Sequence, residues 1–226
     1  MLPLKDNVPT RRFPLVTASL IAVNLAVWVW ELETGIVTRY AYYPCAVEGS
    51  CVGVAAGDRL PVWQGAFTAM FMHASWLHVL SNMLFLWIFG NNVEDSLGRV
   101  RFLLFYLAAG LAATAAQTAV TLEFSDAAAA SVPNVGASGA VAGVLGAYLV
   151  LLPAASVLTL VGIFIVPLPA ALFLGIWFLL QLWWGGFAIT QPQEGGGIAF
   201  FAHAGGFVFG LLTVRLLAVR PPLRPS

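Results

Sequence analysis

Residues 200–219 read FFAHAGGFVFGLLTVRLLAV, twenty positions dominated by apolar and small side chains. A helix needs about 20 such residues to cross the hydrocarbon core of a bilayer, so this run has the length and character of a membrane span. The rest of the chain agrees with it. Of 226 residues, 60% are hydrophobic and 9% charged, and the mean hydropathy is +0.90. That is too little polar surface to coat a soluble globule. Working outward, further apolar runs bounded by charge or turn residues lie near 14–32, 66–90, 100–121, 135–152 and 157–184. With 200–219 they make six spans joined by short connections. The expected fold is therefore an all-α polytopic membrane protein, a six-helix bundle forming one domain over 1–226. The first run follows Arg11 and Arg12 without a small-residue cleavage site and a soluble chain after it, so it reads as a retained anchor.

Orientation comes from the basic residues, which accumulate on the cytoplasmic side of short loops. Lys5, Arg11 and Arg12 precede the first run, Arg99 and Arg101 separate the second and third, and Arg215, Arg220 and Arg224 close the chain. Arg39 and Arg59 fall on the other side, where Glu123, Asp126 and Glu194 mark the remaining outer loops. The N-terminal segment 1–12 and the tail 220–226 are thus expected to be cytoplasmic, and residues 33–64 to form a long outer loop. Tyr40, Tyr42, Tyr43 and Trp63 in that loop suit the headgroup region. Cys45 and Cys51, the only cysteines, are there as well; they can form a disulfide in an oxidising compartment or remain free thiols, and two cysteines alone cannot build a four-ligand zinc site. Zero net charge and the lack of aromatic–basic interleaving exclude nucleic acid as a partner. The expected partners are the lipid bilayer and other membrane proteins, with no metal and no cofactor.

Polar groups inside apolar runs are costly and therefore informative. The histidines are His73, His78 and His203. His78 and Asn82 are four residues apart and so share a helix face, a possible donor pair, whereas the five-residue offset turns His73 away toward a structural role. No acidic residue is read inside a span. Ser138 stands between Gly136-Ala137 and Gly139-Ala140 at the start of the fourth run, where its hydroxyl is accessible and nearby backbone N–H groups can point at a carbonyl oxygen. Taken alone, Ser138 is better explained by helix packing, since Gly139 and Gly143 form a GxxxG surface. It is not a G-x-S-x-G nucleophile elbow, because Ala140 stands where glycine is required. Gly206 and Gly210 follow His203 at i+3 and i+7, placing the imidazole on a second small-residue stripe. Two such stripes can bring the fourth and sixth helices close, with Ser138 within reach of His203. The pair suits acyl transfer, with His203 as base and acid for a Ser138 nucleophile, and with His78, Asn82 and the Ser138 backbone N–H as oxyanion donors. It is a dyad without an acid, served by water from the outer face.

These motifs resemble the rhomboid family of intramembrane serine proteases: HASWLHVLSNM at 73–83, GASG at 136–139 and AHAGGFVFG at 202–210, in the family's order on the second, fourth and sixth runs. NNVEDSLG at 91–98 is similar to the family's turn after the second span, matching at Glu94 and Gly98. The resemblance implies a rhomboid-like bundle, a Ser138–His203 dyad, an oxyanion site from His78, Asn82 and the Ser138 backbone, and supporting roles for Gly136, Gly139, Gly206 and Gly210. It also implies cleavage of other proteins' transmembrane segments, a membrane-embedded first loop, and a mobile fifth span and loop that gate substrate entry. A bacterial plasma membrane is the expected location. Two positions depart from the pattern: Ala142 replaces an aromatic ring that packs on the histidine in many members, and the usual Trp-Arg pair reads Trp63-Gln64. The alternative is a non-proteolytic relative that binds membrane proteins; a small channel or transporter would need midplane charge pairs or a repeat between halves, and neither is found.

Overall fold

The computed structural model describes residues 1–190 and 200–223. In chain order, strand β1 (Leu2–Asp6) is followed by helices α1 (Leu15–Thr34), α2 (Val37–Tyr40), α3 (Val62–Thr68), α4 (Trp76–Leu97), α5 (Arg99–Phe124), α6 (Ala127–Ala130) and α7 (Ser138–Leu151). A hairpin of β2 (Ser156–Val161) and β3 (Phe164–Pro169) then leads into α8 (Ala170–Thr190) and α9 (Phe200–Leu217). Four helices, α1, α5, α8 and α9, are long and apolar enough to cross a membrane, and the bent pair of residues 56–71 with α4 gives a fifth. α7, with 14 residues, is only about 21 Å long, shorter than a ~30 Å hydrocarbon core. A count of six requires reading it as a span too.

Local chemistry sets the helix ends. The Glu94 carboxylate, near the end of α4, accepts the N–H groups of Val16 (3.0 Å) and Thr17 (2.7 Å) and the Thr17 hydroxyl (2.8 Å), satisfying donors that the first turn of α1 cannot pair internally. Gly98, the second matched position of that turn, has φ 77°, a conformation that L side chains rarely adopt, and reverses the chain from α4 into α5. Ser75 caps α4 by accepting the His78 N–H, and Asp126 caps α6.

α7 is the central helix, buried from Gly139 to Tyr148 and packed by α4, α5 and α9. The approach to α9 is backbone to backbone. Gly206 lies on the Gly139 carbonyl and Gly210 on the Gly143 carbonyl, with no space for a Cβ at either. Where lipid tails are as apolar as the helices, such close packing supplies much of the attraction that holds spans together. Phe89 of α4, Tyr148 of α7 and Phe173 of α8 fill the other half of the core, with Phe89 edge-on to Tyr148 at 4.9 Å and stacked on Phe173 at 6.1 Å.

The run read as a span over 157–184 is corrected at its start. Residues 156–169 form the hairpin, Val161 pairing with Phe164 across Gly162 (φ 62°), and the helix begins at Ala170. Pro167 and Pro169 cannot donate within a helix, and the β-branched residues around Gly162 favour a pleated strand. β1 pairs antiparallel with β2, so the N-terminal segment adds to a three-stranded sheet in the order β1-β2-β3. At the same end Arg11 forms an ion pair with Asp95 (2.6 Å) and donates to the Pro221 carbonyl (2.9 Å). Asp6 accepts from Asn92 and from the Tyr148 hydroxyl, both at 2.6 Å.

The opposite end carries the long loop. Cys45 and Cys51 are disulfide-bonded, which decides between the two alternatives the sequence leaves open. Tyr42 and Tyr43 are buried within the protein, and Trp63 is exposed. Tyr42 exchanges backbone hydrogen bonds with Asn134 (3.0 and 2.7 Å), and its hydroxyl meets Thr118 at 2.9 Å. The loop is thereby fastened to the segment entering α7. The absence of acids from the spans is also corrected: Glu31 is buried within α1, where its carboxylate accepts the His73 N–H at 3.1 Å. It sits near the end of an apolar run, where a boundary charge is easily read as loop.

Candidate active site

Ser138 is the first residue of α7. The segment before it is held by the Tyr42–Asn134 exchange and by the Gly136 N–H donating to Ala69 (2.8 Å). Gly136 has φ 129°, a conformation that L side chains rarely adopt, and a Cβ there would lie 2.7 Å from the His78 ring. Only a glycine lets His78 reach the approach to Ser138. The first N–H groups of α7 have no partner within the helix, and the positive end of its dipole lies there.

His203 comes from α9, and its Nε2 is 2.8 Å from Ser138 Oγ. Its Nδ1 is 2.7 Å from Gln181 Oε1, on α8. A carboxamide oxygen can only accept, so Nδ1 is the protonated nitrogen, and Nε2 keeps the lone pair that receives the serine O–H. Trp177, one turn before Gln181, has its ring 5.9 Å from the imidazole at 37°. Ala142, where many members carry an aromatic ring, is buried and has only a methyl group. Besides its bond to Ser138 of α7, the imidazole is held from α8 by Gln181 and Trp177.

His78 and Asn82 line the same cavity but do not bond to each other. Asn82 Nδ2 is 3.1 Å from His73 Nε2, and the His73 ring is edge-on to His78 at 5.1 Å. This corrects the view of His73 as pointing away. It precedes α4, is fully buried, and links Glu31 of α1 to the Asn82 amide. Ser138, His203, His78, Asn82, Trp177 and Gln181 border one cavity of about 600 Å³, with Phe85 and Leu77 supplying apolar wall. That volume suits a peptide segment of a few residues. Behind Ser138 a recess of about 40 Å³ is lined by Met70, Gly110, Gln117 and Gly139, space for little more than a water or a methyl group.

The four glycines singled out from sequence all sit where a Cβ would clash: Gly136 against His78, Gly139 against the Ala113 methyl, Gly206 against the Gly139 carbonyl, and Gly210 against the Gly143 carbonyl. Gln181, Trp177, His73 and Glu31 are further members of the site, each with a signal. Gln181 is the sole carboxamide in a run of apolar residues, and the pattern Trp177–Gln181 is one helical turn. Glu194 and the fifth loop expected to gate entry, together with Arg224, lie outside the described residues.

Comparison with known proteins gives this site its context. The Rhomboid domain family model matches residues 61–220. The putative rhomboid protease YdcA of Bacillus subtilis is 32% identical over 142 residues, 62% of this chain and 63% of its own. The rhomboid protease GluP of the same organism is 40% identical over 87 residues, 38% of this chain and 15% of its own. Rhomboid protein 1, mitochondrial, of Saccharomyces cerevisiae is 32% identical over 146 residues, 63% of this chain and 38% of its own. The chain thus spans less than two thirds of the length of each of these relatives. Apolar helices packed around a half-buried serine–histidine pair define the class, a helical integral membrane protein with a cavity that this pair borders. The chain belongs to the rhomboid family, and the matched region holds Ser138, His203, His78, Asn82, His73, Trp177 and Gln181 but not Glu31 or Tyr42.

Proposed function

We propose that this chain is an intramembrane serine endopeptidase that cleaves transmembrane segments of other proteins through the Ser138–His203 dyad. The observation that carries the reading is the 2.8 Å contact between Nε2 and Oγ inside a cavity large enough for peptide. His203 Nε2 takes the Ser138 proton as Oγ bonds to the scissile carbonyl carbon. The oxyanion meets the Ser138 backbone N–H, with His78 and Asn82 as side-chain donors. The same Nε2 then protonates the leaving amine, and a water, deprotonated in turn by His203, hydrolyses the acyl-enzyme. Substrate helices that unwind readily are favoured, because an intact helix keeps its carbonyls hydrogen-bonded.

The setting is a bacterial plasma membrane with both termini cytoplasmic. Seven of the nine basic residues within the described chain gather at the sheet end and two at the Ser138 end, which supports this orientation. The test is cleavage of a transmembrane substrate in liposomes by the purified protein. Ser138→Ala and His203→Ala are each expected to lower the rate by at least about 10³-fold without loss of folding. Cleavage by Ser138→Ala at the wild-type rate would falsify the assignment.

A further inference from the structure

Both ring nitrogens of His203 are engaged, and only one engagement has a role so far. We infer that Gln181 is the positioning residue of the dyad, its carbonyl oxygen fixing the His203 tautomer and ring orientation that let Nε2 act as base. This rests on the dyad reading above and deepens it. The distances on the two sides of the ring, 2.7 Å to Gln181 Oε1 and 2.8 Å to Ser138 Oγ, make one continuous hydrogen-bonded chain from α8 through α9 to α7.

Three observations converge on the assignment. Gln181 is the only carboxamide among the apolar residues of α8, and an amide in a span is costly unless it finds a partner. His203 is that partner. Second, the α8 face that carries Gln181 is locked to α9: Phe178 stacks on Phe207 at 4.6 Å, and Trp177 lies 5.9 Å from both His203 and Phe207. Third, no other group among the described residues hydrogen-bonds to Nδ1, and Glu31 is engaged with the His73 backbone. Without an acceptor at Nδ1 the imidazole is free to carry its proton on Nε2, where it cannot accept from serine. The neutral carboxamide fixes the tautomer without adding a charge to an apolar bundle.

The experiment follows the rate at which a fluorophosphonate probe labels Ser138 in the folded full-length protein, as a function of pH, with thermal melting as the control for folding. Gln181→Leu removes the acceptor and is expected to lower the labelling rate about tenfold or more. Gln181→Glu keeps an acceptor and adds charge. It is expected to retain labelling while moving the acid limb of the profile to higher pH, because a carboxylate stabilises the imidazolium. A side chain at 181 that packs away from Nδ1 moves that limb little, and the loss of labelling in the Leu variant at unchanged melting separates positioning from packing. The inference is overturned if the Leu variant labels within about twofold of wild type, or if the Glu variant leaves the acid limb in place; should the Leu variant not fold, the Glu profile decides alone. The dyad reading has its own control. Labelling that persists in Ser138→Ala overturns the dyad, whereas labelling lost in Ser138→Ala but untouched by both Gln181 changes overturns only the role of Gln181.

Discussion

Ser138 and His203 are 65 positions apart and meet because glycines on two helices leave room for backbone contact. Gly206→Ala would drive a methyl group into the Gly139 carbonyl, a backbone atom that cannot swing aside. The expected result is a destabilisation of about 1–3 kcal/mol, read as a lowered melting temperature, together with slower probe labelling of Ser138 as the helices part. Unchanged melting and labelling would show that the helix contact tolerates the methyl. At this scale the sequence is legible where a polar group interrupts an apolar run, which is how Ser138, His78 and His203 stand out. A search restricted to ionisable groups passes over Gln181, since a carboxamide does not titrate even though burying one is also costly. The pairing of Asn82 with His73 rather than His78 is not legible. It depends on the chain bending before α4, which helical spacing does not convey.

Among elements, the spans follow from apolar length, and those of α1, α5 and α9 are read to within a few residues. The sheet is missed because an apolar hairpin joined to an apolar helix presents one unbroken run; Gly162, Pro167 and Pro169 are the only local marks of the break. β1 brings Asp6 against α4 and α7, and there burial pushes its carboxyl above the usual value of 3.8 despite the hydrogen bond from Tyr148. Across the window between 3.8 and the raised folded value, the unfolded chain releases this proton before the folded one. The stability contributed by Asp6 is therefore complete below that window and declines as pH rises through it. Asp6→Asn lacks the decline. Its stability relative to wild type should improve as the pH is raised from 4 toward 7, measured by denaturation in detergent at each pH; parallel curves for the two proteins would refute the account.

For the whole molecule, composition and charge distribution are sufficient to recover a helical membrane bundle, whereas the three-way hold on His203 depends on how α7, α8 and α9 pack. The central helix is the short one. Its ~21 Å falls about 10 Å short of a typical hydrocarbon core, and Ser138 stands at its very start. α7 is enclosed by α4, α5 and α9 and meets little lipid itself; its brevity matters through Ser138, since a substrate helix that spans the whole core has to be matched in depth to a hydroxyl at the start of a helix that does not. Reconstitution in lipids of increasing acyl-chain length should accordingly slow cleavage of a fixed substrate while leaving labelling by a small soluble probe nearly constant. Equal cleavage in thin and thick bilayers would count against it. The brevity of one helix thus makes membrane thickness a variable of the reaction.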